Sequence, residues 1–387
     1  MVGHIKLRKK DMYDYKKTAV LLITVMVFFS CLKGNSQAYK SENPLADYTE
    51  FYPYKNGYAT VGIKRKYGFI DKKGRNIVPC KYNFVYEFYK GLVVVELDGK
   101  HGLVDTTGRE VVPLKYDFIG GFEESNRAIV KLNGKWGYID KKGNEVIPVI
   151  YESSNQFYED KTTVKENGQW YIIDTLNNRK QVQLDVDGLG SFHEGLAAIN
   201  LRGKPEEGYM DKQGKIVISP QYQSASHFHN GLACVKRNEK RGFINKSGKV
   251  VVPLLYDGYL HFKDGMAAVS SNDRYGYINT EGTLVIPMKY TNSYGFYHGL
   301  AIIRESGKYG CINKKGETVI PFSYDEMYSG EGNFAVKKDG KGYFIDAKEN
   351  VLFPEVYQSV DAFKDGAALV KQNGIWFYID KKGKRLF

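Results

Sequence analysis

The stretch "GKWGYIDKKGNEVIP", residues 134–148, decides the fold of this chain. It places two short apolar runs on either side of a charged tetrapeptide and ends at Pro148. The dipeptide Asn133–Gly134 is a strong signal for a β-hairpin, because both central positions of a type I′ turn require positive φ. The tetrapeptide has Asp140 first and Gly143 last, which suits a type I turn. The stretch therefore predicts a β-meander with tight turns.

Variants of this stretch recur along the chain at a fixed period. The Asp or Asn that ends each "GYID"-like run recurs at spacings of 33 to 37 residues. The ten positions are Asp71, Asp105, Asp140, Asp174, Asp211, Asn245, Asn279, Asn313, Asp346 and Asp380. Hairpin dipeptides at the same place in other units are Asp98–Gly99, Asn167–Gly168, Asp339–Gly340 and Asn373–Gly374. Such a period indicates supersecondary units that share a core with their neighbours.

Each unit is predicted to be a three-stranded meander followed by a loop that an aromatic residue pins. The third strand, "NEVIP", should stop at Pro148, because proline lacks the N–H that an interior ladder needs. A tyrosine follows three residues later, at Tyr151, and then a loop such as "FHEGLAAI" at 192–199 leads into the next unit. The 31 Tyr, 21 Phe and 41 Gly of the chain also favour strands and tight turns, so we predict an all-β fold.

The unit resembles the WG repeat, also called the KWG repeat, of bacterial surface and exported proteins. The residues that carry the resemblance are Trp136–Gly137, Tyr67–Gly68, His101–Gly102, Arg241–Gly242, Tyr275–Gly276 and Tyr309–Gly310, each followed by an aromatic or apolar run and a turn glycine. The resemblance covers residues 54–387, although Trp136 alone keeps the tryptophan before a glycine. It implies a β-repeat array with a presumed binding function, and it carries over no catalytic residue.

The architecture of the array is predicted as an open β-solenoid or superhelical ribbon of about ten units. Three strands in about 34 residues are few for a propeller blade, and ten units exceed the usual four to eight blades. A β-propeller-like closed ring is the alternative. In the segment 175–191 the spacing lengthens to 37 residues and the Pro–Tyr signal is missing, which indicates a kink or a boundary within the array.

The N-terminal residues 1–38 are predicted to be an export signal. A basic leader precedes an uncharged apolar core of 15 residues, Thr18–Leu32, which is short against the roughly 20 residues of a membrane span. Ser36 and Ala38 are small residues suited to cleavage before Tyr39. Lipidation at Cys31 and an uncleaved anchor are the alternatives. Residues 39–53 then form a linker and residues 54–387 the array, exported to the periplasm, the cell surface or the medium, or to the outer membrane as a lipoprotein.

Catalytic and metal chemistry find little support in the sequence. The repeated Asp alternates with Asn at Asn245, Asn279 and Asn313, which fits turn chemistry and not acid–base chemistry. Histidines His193, His229, His261 and His298 stand at nearly equivalent places in successive units, but zinc needs three or four converging ligands, so we interpret them as solvated loop residues. Cys80, Cys234 and Cys311 fall at different unit positions and are interpreted as buried small hydrophobes. We expect no enzyme activity, cofactor or metal.

Charge suggests where a partner would bind. Residues 1–38 carry seven Lys or Arg and two Asp, so the remainder keeps +7 of the total charge of +12. Much of it lies in the turns, and the candidate ligand-binding residues are Lys72, Lys73, Lys141, Lys142, Lys314 and Lys315. In register these lysines would form a basic ridge that attracts anionic polymers, or they would keep strand edges soluble.

The sequence thus predicts an exported, non-enzymatic scaffold that binds a protein or an anionic or glycan polymer of the envelope through an extended repeat face. A carbohydrate-binding or cell-wall-binding module is the alternative, because some of the many Tyr and Phe rings could stack on sugars. An envelope hydrolase with an unrecognised site is a further alternative. No nucleic-acid partner is expected, and contact with a membrane is expected only through the N-terminal signal or a lipid anchor.

Overall fold

The computed structural model describes residues 45–122, 125–258 and 261–387, and these residues form ten antiparallel β-sheets. The first sheet contains β1 (Glu50–Lys55), β2 (Tyr58–Ile63), β3 (Lys66–Asp71) and β4 (Asn76–Tyr82). The second contains β5 (Phe84–Val85), β6 (Leu92–Leu97), β7 (Lys100–Asp105) and β8 (Glu110–Tyr116). The third contains β9 (Phe118–Phe122), β10 (Ala128–Leu132), β11 (Lys135–Ile139) and β12 (Glu145–Tyr151).

The next four sheets repeat this meander. The fourth contains β13 (Ser153–Ser154), β14 (Lys161–Glu166), β15 (Gln169–Asp174) and β16 (Arg179–Gln181). The fifth contains β17 (Val186–Leu189), β18 (Leu196–Leu201), β19 (Glu207–Asp211) and β20 (Ile216–Tyr222). The sixth contains β21 (Ser224–Ala225), β22 (Leu232–Arg237), β23 (Lys240–Asn245) and β24 (Val250–Tyr256). The seventh contains β25 (Phe262–Lys263), β26 (Met266–Ser271), β27 (Arg274–Asn279) and β28 (Leu284–Tyr290).

The remaining described residues form the last three sheets. The eighth contains β29 (Asn292–Ser293), β30 (Leu300–Glu305), β31 (Lys308–Asn313) and β32 (Thr318–Tyr324). The ninth contains β33 (Glu326–Ser329), β34 (Phe334–Lys338) and β35 (Lys341–Ile345). The tenth contains β36 (Ser359–Val360), β37 (Ala367–Gln372) and β38 (Ile375–Asp380). The strand β1 begins at Glu50, within the segment 39–53, and the signal and lipidation predictions at 1–38 lie outside the described residues.

The predicted turns are confirmed. Asn133 and Gly134 join β10 to β11 with φ of 51° and 79°, the positive values that a type I′ turn requires. In the following turn the N–H of Gly143 donates to the carbonyl of Asp140 at 3.0 Å, and the N–H of Lys142 donates to the Asp140 carboxylate at 2.8 Å. Asn245 accepts the same bond from the N–H of Ser247 at 3.1 Å. The repeated Asp and Asn therefore act as turn residues.

The prediction of a strand that stops at proline is wrong. β12 continues through Pro148 to Tyr151, and a single residue, Glu152, separates it from the first strand of the next sheet. The pairing of β11 with β12 shifts register on both sides of Tyr138. This bulge lies in the edge strand, so Pro148 fits there although it has no N–H to donate. Eight of the ten sheets have four strands instead of three. In most of them the short first strand directly follows the proline-containing strand of the preceding sheet, as β13 follows β12.

The bulge explains the glycine that gives the repeat its name. A Cβ atom on Gly137 would lie 2.7 Å from the carbonyl oxygen of Pro148 and 2.8 Å from that of Ile147. Gly242 in the sixth sheet meets the carbonyl of Val252 at 2.3 Å in the same way. No side chain fits between the third strand and a bulged fourth strand, so blades with this bulge require glycine here. Blade 4, where β15 pairs with β16 without a bulge, has Tyr171 at this position.

The main architectural prediction, an open solenoid, is also wrong, because the ten sheets form the blades of a closed β-propeller. At the interface between blades 5 and 6, written interface 5/6, the hydroxyl of Tyr209 donates to the carbonyl of Ser226 at 2.6 Å. At interface 10/1 the hydroxyl of Tyr378 donates to the carbonyl of Tyr52 at 2.7 Å. The first and last blades therefore meet through the same contact that joins internal neighbours.

The hydrophobic core is divided among the interfaces. Each interface buries one cluster that draws on both blades, such as Tyr138, Ile147 and Tyr151 of blade 3 with Phe157 and Val164 of blade 4. At interface 10/1 the cluster joins Tyr54 to Leu369, with the ring of Phe387 packed at its edge. Phe387 thus packs at the interface that closes the ring. Each described blade buries its aromatic face against a neighbouring blade.

The irregular segment 175–191 lies at interface 4/5. The fourth strand of blade 4, β16, has only three residues there, and β17 begins at Val186. A groove of about 150 Å³ opens between the two blades, lined by Trp170, Gln181, Asp185 and Arg202 among others. Arg202 and Asp185 form an ion pair at 2.6 Å beside it. The ring continues through this junction with a shortened blade.

Candidate functional site

One end of the propeller gathers the loops that vary among blades. In a four-stranded meander the loop from first to second strand and the turn from third to fourth strand lie at the same end of the sheet. We call this end the loop face, and the opposite end, with the turns between second and third strands, the hairpin face. Contacts across interfaces confirm the arrangement, since Lys212 in a third-strand turn lies 2.7 Å from Glu159 in a first-strand loop.

Acidic residues of the loop face join neighbouring blades. At interface 5/6 the carboxylate of Glu194 accepts from the N–H of Gly231 at 2.9 Å and lies 3.4 Å from the ammonium of Lys246. At interface 7/8, Asp264 accepts from the N–H of Gly299 at 2.6 Å and pairs with Lys314 at 3.0 Å. The bonds from Gly299 and Lys314 hold the pKa of Asp264 below its ordinary value. We call this combination of acid, backbone N–H and lysine a bridge.

Bridges occur at three further interfaces. Glu159, Gly195 and Lys212 form the one at interface 4/5, and Glu331, Gly366 and Lys381 the one at interface 9/10. At interface 10/1 the carboxylate of Asp365 accepts from the N–H of Gly57 at 2.8 Å, while Lys72 bonds to the Asp365 carbonyl. A bridge therefore also joins the last blade to the first.

The two side chains of a bridge vary together within the chain. Where the loop carries Asn56, Asn230 or His298 instead of an acid, the turn of the next blade carries an uncharged residue in place of lysine. These partners are Thr106, Thr280 and Ala347 respectively. Interface 2/3 departs from this rule, because Lys90 stands at the acid position and Lys141 at the lysine position.

The six lysines that the sequence suggested do not form one uniform ridge. Lys314 belongs to a bridge, and Lys72 binds a carbonyl of the neighbouring blade. Lys73, Lys142 and Lys315 give their backbone N–H groups to the turn Asp or Asn at 2.9, 2.8 and 3.0 Å. Lys141 forms no ion pair with any described residue.

Planar side chains form a second feature of the loop face, on blades 4 to 8. The rings of Tyr158 and His193 lie 4.2 Å apart, and those of His193 and His227 stack at 4.3 Å. On the next blades His229 stacks on His261 at 6.2 Å, and Lys263 lies 4.9 Å from the ring centre of Tyr297. We call Tyr158, His193, His227, His229, His261 and Tyr297 the aromatic arc.

The arc combines exposed and half-buried rings. Tyr158 and Tyr297 are 36% and 43% exposed. His193 is half-buried, and this burial, followed by the nearby His227, lowers its pKa to about 4. Burial, then His229, also lowers the pKa of His261. Of the four histidines of the arc, His193 alone is partly buried, and its ring is uncharged at neutral pH.

The interpretation of these histidines as plain solvated loop residues is thus incomplete. Three of the four predicted positions, His193, His229 and His261, contribute to stacked pairs between blades, and His298 packs edge-on against Tyr297 at 4.2 Å. His227, one position before the blade 6 phenylalanine, supplies a partner that we did not predict. Across the described ranges 45–122, 125–258 and 261–387, no group of three His, Cys, Asp or Glu side chains could hold a metal ion.

The hairpin face carries structural caps that the sequence analysis missed. The residue between the fourth strand of one blade and the first strand of the next accepts from a hairpin N–H. Glu152 accepts from Gly168 at 3.1 Å, Gln358 from Gly374 at 2.7 Å, and Asp325 from Asp339 at 2.9 Å. An Asn, Asp, Glu or Gln directly after the repeat tyrosine is the sequence signal for this cap.

The cysteines among the described residues are Cys80, Cys234 and Cys311. Cys234 and Cys311 are buried, as predicted for small hydrophobes, whereas Cys80 is half-buried, and none of these three described cysteines forms a disulfide. Burial raises the pKa of Cys80 to about 11 and that of Cys311 to about 12, so these thiols stay protonated. A search of the described part of the chain for a helix with the length and apolarity to cross a membrane finds none.

The WG-containing repeat model matches eight segments of this chain. They are residues 67–100, 102–136, 136–170, 208–240, 242–275, 275–309, 309–341 and 344–375. The chain belongs to the WG-repeat family. The match leaves out residues 171–207, which include the shortened fourth strand and the groove at interface 4/5.

Other comparisons give only distant likenesses, and no curated protein matches the chain. A eukaryotic initiation factor is 9% identical, with 86% of this chain and 96% of that chain covered and a TM-score of 0.45. PorZ, a bacterial surface component of the type-IX secretion system of Porphyromonas gingivalis, is 11% identical, with coverage of 86% and 58% and a TM-score of 0.32. Hsv2 of Kluyveromyces lactis is 11% identical, with coverage of 58% and 90% and a TM-score of 0.30.

Proposed function

We propose that this WG-repeat propeller is an exported, non-enzymatic scaffold that binds a protein or a polymer of the cell envelope through its loop face. The aromatic arc is the observation that carries the proposal. Five successive blades present planar rings from nearly the same loop position, and the two terminal tyrosines remain well exposed. Contiguous exposed rings on a soluble surface mark a binding site, and Tyr is enriched where partners dock.

The hairpin face has fewer side chains available for contact with a partner. Its polar side chains are used in caps, such as Glu152 on Gly168, and its lysines pair with the same junction residues, as Lys100 does with Asp117 at 2.7 Å. The loop face combines rings, a lysine and backbone turns that differ from blade to blade. Differences among otherwise identical units are where specificity for one partner can arise.

The test is binding of the purified full-length protein to the envelope fraction of its own cells, followed by sedimentation. We expect Tyr158→Ser combined with Tyr297→Ser to weaken the association about tenfold, since exposed aromatic residues commonly dominate interface energy. Tyr328→Ser is the matched control, because Tyr328 is also 43% exposed but stands in β33 of blade 9, outside the arc. Equal sedimentation of both variants and the wild type would overturn the role of the arc.

Carbohydrate binding is a second candidate, favoured by Tyr89, Tyr158 and Tyr297. Each follows the loop phenylalanine of its blade and is more than one third exposed, as a ring that stacks on a sugar must be. Treatment of the envelope fraction with protease or with glycan hydrolases separates the two candidates. Loss of binding after protease alone supports a protein partner, and loss after glycan hydrolysis alone supports the carbohydrate candidate.

An envelope hydrolase is the contrasting class of function. Alanine substitution at His193, His229 and His298 tests it directly. Loss of a turnover activity without loss of the fold would contradict the scaffold proposal. Export is tested by cell fractionation of the full chain, where a cytoplasmic location would contradict it.

A further inference from the structure

Interface 2/3 places two lysines where other interfaces place an acid and a lysine. Lys90 ends the first-strand loop of blade 2, and Lys141 follows Asp140 in the turn of blade 3. Lys90 lies 5.1 Å from the ring centre of Tyr89, and Lys141 is half-buried. Neither forms an ion pair with a described residue. Two positive charges therefore stand at positions that hold an acid and a lysine in the interfaces with a bridge.

The backbone at both positions matches that of a complete bridge. Lys90 has a φ of 48°, against 52° for Glu194 and 53° for Asp264. The turn of Lys141 closes with a 3.0 Å bond from Gly143 to Asp140, and that of Lys246 with a 2.9 Å bond from Gly248 to Asn245. Lys90 and Lys141 therefore stand at the backbone positions that are equivalent to those of Glu194 and Lys246, whose side chains lie 3.4 Å apart.

No carboxylate among the described residues around Lys90 and Lys141 forms an ion pair with either lysine. Glu87, in the loop of Lys90, pairs with Lys55 of blade 1. Asp140 accepts from its own turn, through the N–H groups of Lys142 and Asn144. Glu123 and Glu124 belong to the blade 3 loop but lie outside the described residues. The described part of interface 2/3 therefore contains two ammonium groups and no carboxylate committed to them.

We propose that Lys90 and Lys141 form a binding site for a carboxylate, supplied by a glutamate or aspartate side chain of a partner protein. Five other interfaces fill the equivalent place with such a side chain from a neighbouring loop, bound by lysine or by a backbone N–H. An acidic residue on an exposed loop of a partner would complete interface 2/3 in the same manner. Two ammonium groups strengthen the attraction, and the association depends on salt.

This inference rests on the proposed scaffold function and names the chemistry of its protein partner. Its test uses probes and variants that the aromatic-arc experiment does not use. The probes are a short oligo-glutamate peptide, the matching oligo-glutamine peptide, inorganic phosphate and a polyuronate, each titrated into the full-length protein at low and at physiological salt.

The variant Lys90→Glu re-creates a bridge with Lys141 and fills the site from within the chain. We expect it to weaken oligo-glutamate binding about tenfold while the melting temperature equals or exceeds that of the wild type, which excludes misfolding as the cause. Lys141→Gln should weaken the same binding. Lys382→Glu is the matched control, since it changes charge equally in a blade 10 turn whose bridging lysine is Lys381, and it should bind as the wild type does.

Selective, salt-dependent binding of oligo-glutamate by the wild type supports the site. Absence of that binding overturns it, as does equal binding by Lys90→Glu. Tighter binding of phosphate or polyuronate than of oligo-glutamate would overturn the assignment to a protein side chain. None of these results changes the sedimentation of the Tyr158 and Tyr297 variants, so failure of this site and failure of the scaffold proposal are distinguishable.

Discussion

Interfaces 5/6 and 2/3 have the same strands, turns and buried core, yet they differ in their outermost polar contact. Interface 5/6 satisfies its lysine with Glu194 from the adjacent blade, whereas interface 2/3 presents Lys90 and Lys141 without an acid among the described residues. The difference teaches that the fold tolerates loss of a bridge. A bridge therefore adds to the stability of a ring that the buried core already holds together. The carboxylate site proposed above uses the interface that lacks one.

The largest effect should come from the part that the two interfaces share. Gly137→Ala in blade 3 would place a Cβ 2.7 Å from the carbonyl of Pro148, and Gly242→Ala in blade 6 would meet Val252 at 2.3 Å. We expect each to lower the free energy of unfolding by about 3 kcal/mol, since backbone must move. Urea unfolding measures both, and unequal costs would show that the two blades differ in their strands as well as in their loops.

Gly134→Ala is the control for that comparison. Gly134 has a φ of 79°, but nothing lies within 4 Å of the added methyl group. It should cost about 1 kcal/mol, the strain of a left-handed conformation alone. A cost as large as that of Gly137→Ala would contradict the steric explanation of the repeat glycine.

The contrast between core and loops also explains what the sequence could predict. The period, the all-β class, the positive-φ hairpins and the turn role of Asp140 follow from local residue chemistry, and all are confirmed. The closed ring was predicted only as the alternative to an open solenoid, because the angle between successive blades depends on packing between them, which no single unit encodes. Pro148 misled the strand prediction, since a bulge at a sheet edge removes the need for its N–H.

The polar contacts of the loop face were likewise predicted in part, because each one joins a local turn to a distant loop. The lysines were visible in each turn, but their partners lie about 50 residues earlier, in the loop of the preceding blade, as Glu194 does for Lys246. Comparison of the acid and lysine positions across units was the signal that could have found the bridges. The stacking of His193 on His227 joins two different loop positions, so repeat alignment alone could not predict it.

Glu194→Lys should turn interface 5/6 into a copy of interface 2/3. The change removes the acceptor of the Gly231 N–H and places two lysines side by side, so we expect a loss of about 1–2 kcal/mol in urea unfolding. Glu194→Gln keeps an acceptor and should cost less. If Glu194→Lys were neutral, the bridges would contribute nothing to stability. If it also gained salt-dependent binding of oligo-glutamate, the comparison would hold in both directions.

The arc side of the ring should respond to acid through His193. Its folded pKa of about 4 lies below the unfolded value of about 6.5, so the unfolded chain binds more protons between these values. The stability contributed by the neutral ring is present above pH 6.5 and is lost as the pH falls toward 4. Allowing for partial exposure, we expect a loss of about 1 kcal/mol between pH 7 and pH 5.

His193→Gln should remove that part of the pH dependence, as measured by urea unfolding at pH 7 and pH 5. His298→Gln is the control, because His298 packs against Tyr297 of blade 8, at the other end of the arc from His193. An unchanged pH dependence in His193→Gln would mean that other groups, such as the half-buried His101 of blade 2, account for the acid response.

The smallest expected change in stability distinguishes two neighbouring lysines of one turn, Lys381 and Lys382. Lys381 lies 2.8 Å from Glu331 across interface 9/10, whereas Lys382 gives only its backbone N–H to Asp380, at 2.9 Å. Lys381→Gln should therefore lower stability by about 0.5 kcal/mol at low salt and less at high salt, because the pair is half-exposed. Lys382→Gln should be neutral at both. Equal effects would mean that the first lysine has no special role in a bridge, and the contrast between interfaces 5/6 and 2/3 would then reduce to surface charge.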